Sequence, residues 1–201
     1  MDNITYLINA ITEKGLKPAI NLDRPNYVQP EDRIQYRSSR LIIILGMLNT
    51  NNGLSKDVIA CIDFLLRNEF YQTKFILEYF DGKKNVVNKL ESISNSNQVE
   101  IDFNIVQYKS VPWDLRFNEM FMYLHVRGLI SYKADKDGNN VRIQLNERST
   151  QYFNSIKDIF PNEVNFLELF GKRVSEDKTI KIITEVIPNS YWNQNAQFNN
   201  K

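Results

Sequence analysis

The chain has little of what enzymatic chemistry usually needs. Its 201 residues include one histidine, His125, and one cysteine, Cys61. A lone cysteine excludes an intrachain disulfide and suits a reducing compartment. His125 has no cysteine or second histidine beside it at ligand spacing, which argues against a zinc site. It also has no local nucleophile motif with which to build a Ser-His or Cys-His pair. There are only seven glycines, and neither GxGxxG nor GxxxxGK[ST] occurs, so no phosphate-cradling loop is visible. Carboxylates are scattered rather than clustered as in divalent-metal nucleases. An excess of one charge is missing too. The 25 Lys and Arg nearly cancel the 24 Asp and Glu, leaving no global field to draw the protein onto nucleic acid or anionic lipid. The most apolar run, Leu41 to Leu48, is far shorter than the roughly 20 residues of a spanning helix. The opening MDNITYLINAITEKG lacks the basic-then-apolar pattern of a secretory signal. These absences predict a cytoplasmic, non-enzymatic protein with no metal, no cofactor and no membrane partner.

What is present suits a packed fold. Hydrophobic residues make up 42% of the chain and charged ones 24%, enough for a real core. Residues 1–30 read as an N-terminal helix over 3–14 followed by an extended arm with Pro18, Pro25 and Pro30. A helix over 31–49 is polar and basic in its first half (Arg33, Arg37, Arg40) and apolar nearly all round in its second. Ser55 is a good N-cap for a helix over Lys56–Arg67, whose apolar face carries Val58, Ile59, Ile62, Leu65 and Leu66. Cys61 lies beside that face and reads as a small buried residue. Further helices are expected over 70–80 and 86–93. From Val99 to Val106 the period switches to two, predicting a half-buried strand that ends before Pro112.

The stretch from Trp113 to Phe160 organises the rest. Asp114 is a plausible N-cap for a helix facing inward with Phe117, Met120, Phe121 and Leu124, and Trp113 reads as an anchor of its start against the core. Gly128 sits where a left-handed C-cap belongs. Two strands, 129–133 and 141–145, flank a turn at Asp137-Gly138. Asn146 can cap a final helix whose Tyr152, Phe153, Ile156, Ile159 and Phe160 fall on one side, and Pro161 closes the unit. Helix, hairpin, helix in this order predicts a winged helix. The expected fold is therefore mainly α with a small β-sheet: a helical and winged-helix core over 31–160, flanked by the N-terminal helix and arm (1–30) and by C-terminal helices with a frayed tail (161–201).

A winged helix is a platform and does not name a function. Arg116, Arg127, Lys133, Lys136 and Arg142 could touch phosphates. Yet between Gln98 and Phe160 eight basic residues face eight acidic ones, whereas a sequence-specific DNA reader shows a basic excess. The economical reading is a winged helix that mainly contacts protein. A stand-alone DNA-binding transcription regulator is the alternative.

Two stretches resemble a known family. They are RSSRLIIILGMLNTNNGLSKDVIACIDFLLRNEFY (37–71) and VPWDLRFNEMFMYLHVRGLISYK (111–133). With the helix after the hairpin, they resemble the middle component of bacterial ABC three-component systems, which include the small subunit of Lamassu anti-phage defence systems. The matching motif positions are Asp63 and Arg67 of IDFLLR, Pro112, Trp113 and Asp114 of PWD, then Arg116, and Arg127-Gly128 of RGL. Asn68-Glu69 and Ser110-Val111 depart from the family's pattern. The resemblance implies a non-catalytic accessory subunit that bridges an SMC- or Rad50-like ATPase and a nuclease-like effector. It further implies that double-stranded DNA is met through the complex.

Overall fold

The computed structural model describes residues 33–48, 52–83, 86, 88–89, 105–134, 141–171 and 174–192. The chain divides into two units, Met1–Arg33 and Ile34–Lys201, and the following concerns the second. The expected N-terminal helix and arm, most of the 86–93 helix, the 99–104 part of the strand, and the Asp137-Gly138 turn with Lys136 all lie outside the described residues.

The first helix, α1 (Ile34–Met47), is the mast of the core. Leu41, Ile42, Ile43 and Ile44 are all fully buried, so neighbours cover this helix on every side, as an apolar run without a polar stripe demands. A two-residue strand, β1 (Leu54–Ser55), leads into α2 (Lys56–Arg67). Ser55 caps α2 as its type predicts, its Oγ accepting the Val58 N–H at 3.3 Å. Next come α3 (Glu69–Tyr79), a hairpin of β2 (Ile105–Tyr108) and β3 (Val111–Asp114), and α4 (Phe117–Val126). The last elements are β4 (Ile130–Ala134), β5 (Val141–Leu145), α5 (Glu147–Ile156), α6 (Pro161–Glu168) and α7 (Glu176–Val186). The fold is mostly helical, with one three-stranded antiparallel sheet in the order β1-β5-β4 and one two-stranded sheet, β2-β3.

Local chemistry explains most boundaries. Gly128 takes φ +69°. Its N–H reaches the His125 carbonyl while the Leu129 N–H reaches that of Leu124, both at 2.9 Å, and this pair of bonds is a Schellman stop. The buried residues Phe117, Met120, Phe121 and Leu124 make the inward face of α4 as expected.

Five expectations need correction. Pro112 does not follow a strand: it lies inside β3, opposite Gln107. The hairpin escapes a sequence reading because its two-residue turn is Lys109-Ser110, both with positive φ (48° and 70°), where Asn-Gly is the usual signal. Asp114 is not the N-cap of α4; Arg116 holds that position. Asp114 Oδ1 does accept the Arg116 N–H at 2.8 Å, but its other oxygen is committed elsewhere. Asn146 stands at the N-cap of α5 without a capping side-chain bond; its amide instead donates to the Gly128 carbonyl at 2.9 Å. Pro161 opens a helix rather than closing the unit, because proline's fixed φ and missing N–H suit a first helical position. A tight turn over Lys157–Ile159 also rotates the chain, so Ile159 faces solvent while Phe160 is buried.

The C-terminal helices share the core. Phe166, Leu167 and Ile183 are fully buried. Phe75, Tyr79 and Phe170 pack ring on ring, and the Tyr79 hydroxyl accepts the Ser175 N–H at 2.8 Å just before α7.

Candidate functional site

Asp63, Arg67 and Asp114, three of the motif positions singled out in the sequence, converge. Asp63 and Arg67 sit one turn apart on α2, and Asp114 ends β3 beside them. Arg67 Nη1 lies 2.6 Å from Asp114 Oδ2 and 3.2 Å from Asp63 Oδ2. Arg37 of α1 donates to the same Asp114 oxygen. Arg40, one turn further along α1, places Nη1 3.7 Å from Asp63 and Nε 3.6 Å from Glu163 of α6. Among the described residues, three arginines therefore meet three carboxylates. Arg37, Arg40, Asp63 and Asp114 are all buried. Charges this far from water persist only when paired and hydrogen-bonded. The cluster ties α1, α2, β3 and α6 at one point, and its chemistry is structural.

Sequence reasoning placed Arg37 and Arg40 on a polar half-helix and missed Glu163. One signal was present: the two arginines stand three residues apart immediately before an apolar run, so they share a helical face that the run carries into the core.

The candidate phosphate contacts are not gathered. Arg142 on β5 pairs with Glu176 of α7 and donates to the Gly53 carbonyl at 3.2 Å, so it serves as a tie between sheet and helix. Arg116 is half-buried at the start of α4. Arg127 is exposed at the other end, with its guanidinium 4.6 Å from the centre of the Tyr123 ring. Lys133 is exposed on β4, opposite Arg142. Between them, α4 presents Glu119, Met122 and Val126 to solvent and contains no lysine or arginine. Trp113 is half-buried, its ring edge-on to Phe117 at 5.2 Å and tilted against Tyr108 at 5.7 Å. It anchors the hairpin to the start of α4.

The single histidine and the single cysteine sit in different settings. His125 is exposed on α4, with Nδ1 3.3 Å from the Ile130 carbonyl and its ring 5.0 Å from that of Tyr132. Cys61 is fully buried in α2. Burial pushes its thiol well above the ordinary range, and nearby Asp57 adds to the shift. Among the described residues, no group of three or more His, Cys, Asp or Glu could hold a metal ion. No described helix is long and apolar enough to cross a membrane. Comparison with protein-family models, with curated proteins and with solved structures finds no match to this chain.

Proposed function

We propose that this chain is a non-catalytic, cytoplasmic accessory subunit of an anti-phage or anti-plasmid defence complex. It bridges an SMC- or Rad50-like ATPase and a nuclease-like effector, and helps couple DNA engagement to control of that effector. The observation that carries the reading is the outer face of α4. Val126 is 76% exposed, Met122 61% and, just before the helix, Leu115 60%. Exposed Met122 and Val126 on a helix that contains no lysine or arginine, with exposed Leu115 just before it, fit a protein partner; a helix that reads DNA needs basic residues there.

Two further points support it. The order of α1, β1, α2, α4, β4 and β5, with β5 between β1 and β4, supports a winged helix. In that reading α3 and the β2-β3 hairpin are an insertion, and β4-β5 is the wing. The motif residues Asp63, Arg67 and Asp114, far apart in the chain, also form one cluster, so the resemblance describes a coherent piece of fold.

The test is co-expression with a long coiled-coil ATPase encoded beside this gene. The pair should co-purify, and Met122→Lys with Val126→Glu should abolish association while leaving the melting temperature unchanged. A wild-type chain that fails to associate would sink the reading. The runner-up, a stand-alone regulator, requires the free chain to bind a defined duplex with a steep salt slope. Within the complex, alanine at Arg116, Lys133, Lys136 and Arg142 together weakens DNA binding if the platform touches DNA, and leaves it unchanged if the platform meets only protein.

A further inference from the structure

We propose that a cleft between α1, α4 and α5 is a binding site for a phosphate monoester group. The cleft is about 330 Å³, room for a phosphate and part of whatever carries it. Arg127 enters from the end of α4 and Arg148 from the first turn of α5; Gln35, Ser38 and Ser39 contribute from α1, and Tyr152 from α5. Among the described residues, no carboxylate lines the cleft. Among the described residues, none pairs with Arg127 or Arg148. Two arginines gathered without a counter-ion, on an otherwise neutral protein, select an anion.

Ser38 is the second, independent pointer. It is 1% exposed, lines the cleft, and its Oγ has no hydrogen-bond partner. A buried hydroxyl without a partner is destabilising, so it marks a place where a ligand atom belongs. Its neighbour shows that the deficit is not forced by the helix. Ser39 Oγ donates to the Gln35 carbonyl and also meets the Tyr152 hydroxyl, both at 2.9 Å.

The backbone agrees with an anion. Gln35 and Arg148 are the second residues of α1 and α5, so the positive ends of two helices border the cleft. The carbonyl end of α4, which would repel an anion, is answered inside the fold: the Tyr123, Leu124 and His125 carbonyls accept the N–H groups of Arg127, Leu129 and Gly128. Arg127 stacked on Tyr123 keeps its N–H edge available for a planar, two-pronged grip. Phosphate is favoured over carboxylate because two guanidinium forks and a hydroxyl offer more donors than two carboxylate oxygens can use.

This inference stands apart from the adaptor reading and is tested on the full chain alone. Calorimetric titration would use five probes: inorganic phosphate, adenosine monophosphate, a 5′-phosphorylated trinucleotide, its 5′-hydroxyl counterpart, and acetate. At least one phosphate probe should bind, and which one binds best names the carrier as free ion, nucleotide or strand end. Arg127→Ala and Arg148→Ala, both at exposed positions, should each weaken binding by about tenfold or more. Ser38→Ala should weaken it severalfold without lowering the melting temperature, since it removes an unsatisfied group. The proposal is overturned if no phosphate probe binds, if acetate binds as tightly, or if none of the three substitutions changes the affinity.

Discussion

Replacing Asp114 with asparagine tests the buried ion cluster most directly. The substitution keeps volume and shape, so no cavity forms, and Oδ1 can still accept the Arg116 N–H. What disappears is the negative charge between Arg37 and Arg67, both of which point at Oδ2. Among the described residues, the carboxylate left beside these guanidinium groups is Asp63, 3.2 Å from Arg67. Breaking a buried pair from one side typically costs 3–5 kcal/mol, because the orphaned charge keeps its desolvation penalty. That is a large part of the roughly 5–15 kcal/mol that holds a domain together. At roughly 2–4 °C per kcal/mol for a unit of this size, the melting temperature should fall by roughly 10 °C. Glu163→Gln is the internal control. Glu163 sits at the rim, 3.6 Å from Arg40 with Arg40 still facing Asp63, so its loss should cost less than that of Asp114. Urea unfolding at constant m-value reads both. Adding Arg37→Met to Asp114→Asn restores the charge balance and should recover more than about 1 kcal/mol as coupling. An Asp114→Asn variant within 1 kcal/mol of wild type, or no more damaged than Glu163→Gln, would refute the claim that the cluster pins the fold.

Three further outcomes are expected. Gly53→Ala should destabilise by more than about 2 kcal/mol in the same urea assay: φ is +72° there, and a Cβ would stand 2.5 Å from the Ile143 backbone oxygen. Changing the Lys109-Ser110 turn to Asn-Gly should raise stability by about 1 kcal/mol, since both residues already occupy the left-handed region; an unchanged midpoint counts against that turn. Cys61 should resist a thiol reagent at neutral pH in the native protein and react only as fast as the chain unfolds, because burial suppresses the thiolate that is the reactive form.

Local periodicity and end chemistry were enough to place several elements. The cap at Ser55, the apolar face of α2, the inward face of α4 and the left-handed stop at Gly128 depend on residues within one or two turns of each other, so a one-dimensional reading can reach them. The hairpin at 105–114 was missed because tertiary packing imposes a turn that its own residues do not favour. Nor could sequence tell that Pro161 starts a helix, since proline punctuates in both directions.

Charge is where the two levels part. An arginine on a helix is a solvated surface residue or the centre of a buried cluster depending on what faces it, and those partners are remote. Arg37 meets Asp114 across 77 positions and Arg67 meets it across 47. The sequence by itself determined a mainly helical chain with a small β-sheet and a charge-balanced stretch from Gln98 to Phe160. Only the tertiary structure decided that Asp63, Arg67 and Asp114 are internal struts and that Arg142 is tied to α7. It alone brought Arg127 and Arg148 together over an unanswered serine, because long-range electrostatic pairing is settled by which faces meet.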